Sequence, residues 1–77
     1  NPFNPATKIR FGLPKTAFTN IVVYDLLGRE IAVLVNEELN PGNYKVDWNG
    51  SSFGSGVYYY TLQAGSFKET KKMVLIK

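Results

Sequence analysis

The chain has 77 residues, no cysteine, no histidine and a formal net charge of +3 at pH 7. A chain of this length forms one small domain, and the lack of Cys and His excludes disulfides, Cys/His zinc sites and thiol or imidazole catalysis. Residues 1–67 carry equal numbers of basic and acidic side chains, so the whole net charge lies in the last ten residues. These are Lys68, Lys71, Lys72 and Lys77 against Glu69 alone.

The opening segment, residues 1–5, is rich in Pro and Asn and begins without Met. Such a composition is typical of a linker, so we predict a linker at residues 1–5 and a domain at residues 6–77. No apolar run approaches the roughly 18 residues that cross a bilayer, and no charged leader opens the chain. If the protein is exported, we expect its signal peptide in a longer precursor.

Period-two alternation recurs in short runs bounded by Gly, Pro and Asn, which predicts an all-β fold. The predicted strands are residues 9–13, 21–25, 30–35, 44–48, 57–64 and 67–76. The second strand is apolar on both faces, and the fifth and sixth form a hairpin around Gly65. We predict a reversal of the chain at residues 26–29 and a loop at residues 36–42, with Pro41-Gly42 in a type II turn. We predict a flexible loop at residues 49–56.

Six or seven short strands with turn signals about every ten residues are typical of an immunoglobulin-like β-sandwich. A barrel with the same number of strands is the alternative. Tyr44, Val46 and Trp48 share one face of a strand, and we expect Trp48 and Tyr44 in the core between the two sheets. Tyr58, Tyr59 and Tyr60 alternate in direction along their strand, so at least one of them faces the core, and we assign these rings mainly to packing.

Catalytic chemistry has little support in the sequence. General acid/base catalysis needs two facing carboxylates, and the sole adjacent pair, Glu37 and Glu38, falls on a predicted loop. The serines at positions 51, 52 and 55 have no His to activate them, and no glycine motif leads into a helix. We therefore predict no enzymatic activity, no cofactor and no metal. The lysines have a simple structural interpretation as protection of an edge strand against aggregation.

Six motifs occur in order along the chain. They are Phe3-Asn4-Pro5, Val23 to Glu30 (VYDLLGRE), Leu39-Asn40-Pro41-Gly42, Val46 to Gly50 (VDWNG), Ser55-Gly56-Val57-Tyr58 and Lys71 to Lys77 (KKMVLIK). Together they resemble the C-terminal sorting domain of type IX secretion cargo, the Por secretion sorting domain. A flagellar hook-cap immunoglobulin-like module resembles the middle of the chain, and the terminal lysine motif favours the sorting family.

The resemblance implies a seven-stranded immunoglobulin-like sandwich that acts as a secretion signal for an attached upstream cargo. It further implies transit through the periplasm, recognition by the outer-membrane type IX translocon, removal by a sortase-like surface protease, and cargo at the cell surface or secreted. The alternative function is a non-catalytic accessory module that binds glycan or protein, or acts as a spacer. We predict no nucleic-acid partner, no stable membrane insertion and a possible homodimer through the terminal strand.

Residue by residue, the resemblance assigns two groups of positions. The candidate translocon-recognition residues are Gly56, Tyr58, Lys71, Lys72, Val74, Ile76 and Lys77, and the structural motif residues are Asn4, Pro5, Gly28 and Trp48. The loop at residues 49–56 is shorter than in many relatives, which argues against a recognition role for that loop.

Overall fold

The structure is a computed structural model that describes residues 2–3 and 6–76 of the chain. The described residues form seven strands and no helix: β1 (Pro2–Phe3), β2 (Ala6–Leu13), β3 (Ala17–Tyr24), β4 (Glu30–Leu39), β5 (Gly42–Asn49), β6 (Gly56–Ala64) and β7 (Phe67–Leu75). A five-stranded sheet has the order β1-β7-β6-β3-β4, and β2 pairs with β5 in a second sheet. The predicted β-sandwich is confirmed, and the two separate sheets rule out the barrel.

Alternating side chains from the two sheets meet in two core clusters. Trp48 of β5 packs with Val23, Tyr58, Met73 and Leu75 of the larger sheet. Ile9 of β2 lies in a second cluster with Ile21, Val35 and Leu62. Trp48 is only 3% exposed, so its predicted core position is confirmed. The same prediction was wrong for Tyr44, which is half-buried and belongs to neither cluster, and whose ring stacks on Phe11 with ring centroids 5.3 Å apart.

One prediction about strand length was wrong. The segment Asn36–Leu39 is not part of a loop, because β4 continues through it and is ten residues long. The reason is pairing, since β3 begins at Ala17 and so provides partners for the end of β4, from Ala17 opposite Leu39 to Asn20 opposite Asn36. Cross-strand pairing outweighs the polar composition of that segment.

The turn chemistry also differs from the expectation at one place. Gly42 has a positive φ, but its value of 150° is far from the roughly +80° of a type II turn. Gly42 already belongs to β5, and Asn40 and Pro41 alone separate β4 from β5. The connection is therefore tighter than the predicted seven-residue loop.

β1 lies within the segment predicted as a linker. Its two residues pair in parallel with the last strand, with Pro2 opposite Val74 and Phe3 opposite Leu75. The beginning and the end of the described chain are therefore neighbours in the same sheet.

Candidate recognition surface at one end of the sandwich

The terminal hairpin consists of β6 and β7, joined by Gly65 and Ser66. Gly65 has a φ of 59°, and a glycine with positive φ at the first central position of a two-residue turn is typical of a type II′ hairpin. The hairpin pairs nine residues of each strand, from Ala64 opposite Phe67 to Gly56 opposite Leu75. The predicted hairpin is confirmed.

Two of the candidate recognition residues, Tyr58 and Gly56, contribute to the packing and backbone conformation of the hairpin. Tyr58 is 8% exposed, packs against Trp48 at a centroid distance of 5.4 Å and donates its hydroxyl hydrogen to the carbonyl oxygen of Gly54, 2.7 Å away. Gly56 opens β6 with a φ of 150°. These positions support the fold of the hairpin, and Tyr58 leaves little of its surface accessible to a partner.

The other candidates divide between the two faces of β7. Lys72 lies opposite Tyr59 and Val74 opposite Val57, on the face of the sheet that points away from β2 and β5. Lys71 pairs with Tyr60 and points to the core side, where the small second sheet leaves it exposed. Asn4, Pro5 and Lys77 lie outside the described residues.

We call the outward set Val57, Tyr59, Lys72 and Val74 the hairpin face. Lys72 is exposed, and the other three side chains are partly exposed. The ion pairs within residues 6–76 are Lys8 with Asp47 and Arg29 with Asp25, so neither uses a lysine of β7. The hairpin face therefore presents an ammonium group beside an aromatic ring and two β-branched side chains.

On the core side of the hairpin, Tyr60 is held in its protonated form. Burial is the main cause that raises the pKa of its hydroxyl, and the negative charge of Glu69 adds to the effect. Tyr60 thus behaves as a neutral, partly buried packing residue, in agreement with the structural role predicted for the tyrosine run.

A second exposed feature, the turn between β3 and β4, was predicted only as a reversal of the chain. Leu26 and Leu27 at this turn are 67% and 77% exposed, and we call this pair the leucine tip. The Asp25 carboxylate accepts hydrogen bonds from the Leu27 and Arg29 amides at 3.0 and 2.9 Å and from the Arg29 guanidinium at 2.7 Å. Gly28 has a φ of 84°, a left-handed conformation that glycine adopts without steric cost.

The same hydrogen bonds set the charge state of the turn. The hydrogen bond from the Arg29 amide is the main cause that lowers the pKa of Asp25, and burial partly opposes it. An ionised Asp25 therefore fixes the backbone that holds the leucine tip in solvent. The sequence signal for this arrangement is an Asp four residues before an Arg, with a Gly between them.

The leucine tip and the hairpin face lie at the same end of the domain. A shallow cleft is lined jointly by Leu26 and Leu27 from the turn and by Val57 and Tyr58 from β6. Ile76, which follows β7 at this end, is 49% exposed. Exposed apolar side chains from three segments therefore gather where β7 ends.

The loop at residues 50–55 stabilises the core beneath this end. Phe53 packs against Trp48 and Tyr58 at centroid distances of 5.9 and 6.3 Å, and its amide donates to the carbonyl of Gly50. The loop is therefore anchored by an aromatic ring, whereas the sequence indicated a flexible connection. The Asn49 side chain also accepts a hydrogen bond from the Ser51 amide at 2.9 Å.

The adjacent carboxylates Glu37 and Glu38 do not face each other. Glu37 and Glu38 are consecutive residues of β4, so they point to opposite faces of the sheet. Asp47 pairs with Lys8 at 2.9 Å, and this hydrogen bond lowers the pKa of Asp47. No cluster of three or more metal-ligating side chains occurs within residues 6–76. The part of the chain that the structure describes also contains no helix that could span a membrane.

Exposed aromatic rings bear on the alternative of glycan binding. Phe18 and Phe67 are each more than half exposed, but Phe18 points to the outer face of the larger sheet and Phe67 to its core side. Two rings on opposite faces cannot form one stacking platform for a sugar.

The fold and its surface define a small immunoglobulin-like sandwich whose exposed apolar and basic groups meet at one end. The chain belongs to the secretion system C-terminal sorting domain family, because the family model matches residues 1–77. Members of this family are C-terminal sorting signals of the type IX secretion system and are not catalytic. The chain is therefore a sorting signal for an attached upstream cargo that is destined for the cell surface or for secretion. The comparison with curated proteins found no match.

Proposed function

We propose that the type IX translocon recognises the folded domain through the hairpin face and the leucine tip together. The observation that carries this proposal is their shared position: Leu26, Leu27 and Ile76 are about half or more exposed at the end that also displays Lys72 and Val74. A small soluble domain rarely exposes a contiguous apolar patch unless a partner covers it. The patch is built on the hairpin and a hydrogen-bonded turn, which makes it a rigid label.

In this proposal Lys72 and the apolar groups have different roles. The apolar side chains supply binding energy by burial, and the lysine orients the encounter with an acidic surface of the translocon. Lys77, which lies outside the described residues, is proposed as a further basic contact. Gly56 and Tyr58 contribute indirectly, because they hold β6 in position for Val57 and Tyr59.

The proposed route has three stages. The precursor crosses the periplasm with its domain folded, the translocon binds the domain at the outer membrane, and a sortase-like protease at the surface removes the domain from the cargo. The domain itself contributes no catalytic step, cofactor or metal. It makes no contact with nucleic acid and inserts no stable span into the membrane.

Adjacent lysines on opposite faces allow a matched test. A periplasmic reporter carries residues 1–77 behind the precursor's own linker, in a host with a type IX system. We expect Lys72→Glu to reduce the surface and medium fractions of the reporter severalfold, and Lys71→Glu to leave them near the wild-type value. Leu26→Ser combined with Leu27→Ser tests the leucine tip, and it should also retain the reporter in the periplasm.

Each variant needs its melting temperature, because lost export could otherwise report an unfolded domain. All of these side chains are exposed, so we expect changes in unfolding free energy within about 0.5 kcal/mol. Equal export of folded Lys72→Glu and Lys71→Glu would refute the hairpin face, and normal export of the folded double leucine variant would refute the leucine tip. Normal export of a reporter without the domain would refute the sorting role.

A further inference from the structure

β7 has one occupied and one largely free edge. Its inner edge pairs with β6 along all nine residues, from Phe67 to Leu75. On its outer edge, the described part of the chain supplies partners for Val74 and Leu75 alone, through Pro2 and Phe3 of β1. The backbone from Phe67 to Met73 therefore forms an edge that can accept a further strand.

Two independent features show which residues of β7 direct their backbone N–H and C=O groups toward the free edge. In a two-residue hairpin the residues that flank the turn, here Ala64 and Phe67, direct their backbone N–H and C=O groups at each other. The backbone N–H and C=O groups of the alternate residues of β7 therefore point outward, away from β6 and toward the free edge. These residues are Lys68, Thr70, Lys72 and Val74. Pro2 has no N–H, so in the parallel pair of Pro2 with Val74 the ladder bonds must be made by Val74. Both features therefore place the backbone N–H and C=O groups of Val74 on the outer edge.

We propose that the cargo linker immediately upstream of Asn1 continues β1 along the outer edge of β7 as a parallel strand. The inference rests on the sorting role, because that role places a cargo segment before Asn1. The observed register aligns each residue of β1 with the residue 72 positions later. The six residues that precede Asn1 are thus placed opposite Phe67 through Lys72, in continuity with the existing β1 pairing.

Pairing of the linker with β7 has a consequence for recognition. An edge occupied by the linker is closed to strand addition by other chains, so the translocon meets β7 of the intact precursor through the hairpin face. After a protease removes the cargo and its linker, the same edge becomes free. The predicted homodimer through the terminal strand would then belong to the released domain rather than to the precursor.

Amide hydrogen exchange measured by NMR tests this proposal in vitro, without a translocon. Residues 1–77 alone are compared with the same chain preceded by the precursor's own eight upstream residues. We expect the outward amides of Lys68, Thr70 and Lys72 to exchange roughly tenfold more slowly in the extended chain. The inward amides of Glu69 and Lys71 already bond to β6, so they serve as the internal reference.

Proline substitution in the linker supplies the matched control. In a parallel ladder, only every second residue of the linker donates its N–H to β7. The first and third residues before Asn1 correspond to Pro2, whose N–H is not required, so the donors are the second and the fourth. Proline at the second and fourth upstream positions should abolish the added protection, whereas proline at the first and third should preserve most of it. Outward amides that exchange within twofold of the unextended chain, or equal effects of the two proline pairs, would overturn the proposal. Either result leaves the export assay unaffected, so the two hypotheses fail separately.

Discussion

β3 and β7 belong to the same sheet and have similar lengths, but they differ in burial. β3 lies between β6 and β4, and its central residues Ile21, Val22 and Val23 are at most 5% exposed. β7 is buried at Met73 and Leu75 alone, and all its residues from Phe67 to Lys72 are exposed. The difference shows that stability is concentrated in the middle of the larger sheet, and that the strand carrying the terminal motif is secured mainly near its end.

The position of Trp48 explains why β7 is secured there. Trp48 lies over Val23, Tyr58, Met73 and Leu75, so a single ring from the small sheet connects the central strand to the terminal one. The apolar positions of the terminal motif are therefore of two kinds. Met73 and Leu75 hold the strand to the core, while Val74 and Ile76 stay accessible to a partner.

The largest effect is expected for Trp48→Ala, which removes the ring shared by both regions. We predict a loss of about 3 to 5 kcal/mol of unfolding free energy, comparable with the whole stability of a domain of this size. Tyr44→Ala is the matched control, because Tyr44 is half-buried and packs on Phe11 at the margin. Denaturant unfolding of both variants checks this prediction, and a Tyr44→Ala loss as large as that of Trp48→Ala would contradict it.

An intermediate effect is expected for Leu75→Ala, because Leu75 is fully buried next to the exposed Ile76. We predict a loss of about 2 to 5 kcal/mol for Leu75→Ala and less than about 1 kcal/mol for Ile76→Ala. Thermal unfolding of the two variants distinguishes the residue of the terminal motif that packs in the core from the residue that is exposed to a partner. Similar losses for both would show that the terminal motif is not divided into buried and accessible positions.

The alternation of apolar and polar residues along the strands explains which parts of the structure, including its buried and accessible positions, could be predicted from the sequence. The order of strands β2 to β7, the hairpin around Gly65 and the core position of Trp48 follow from local patterns, and the structure confirms them. β1 could not be predicted, because it depends on pairing between residues more than 70 positions apart, which no local pattern encodes. The exposure of Leu26 and Leu27 was also missed, because two consecutive leucines are equally compatible with the buried end of a strand.

The smallest effect is expected at the turn that presents the leucine tip, and it depends on pH. The folded protein lowers the pKa of Asp25 below its ordinary value of 3.8, chiefly through the hydrogen bond from the Arg29 amide. The ionised carboxylate is therefore favoured in the folded state, and its contribution is complete well above pH 4 and lost as the pH falls through the lowered pKa. Asp25→Asn should thus lower the melting temperature by a few degrees at pH 7.

The same difference between wild type and Asp25→Asn should shrink as the pH falls below 3.8 through the lowered pKa of Asp25, because a protonated carboxyl no longer attracts the Arg29 guanidinium. Asp47→Asn is the matched control, because its carboxylate pairs with Lys8 on an exposed surface and its side chain is 67% exposed. We expect a smaller change there at every pH, since exposed ion pairs contribute little. Melting curves of the three proteins from pH 2 to pH 8 provide the measurement. A difference for Asp25→Asn that did not shrink at all on acidification would mean that the carboxylate charge does not hold the turn, and that hydrogen-bond geometry alone keeps Leu26 and Leu27 in solvent.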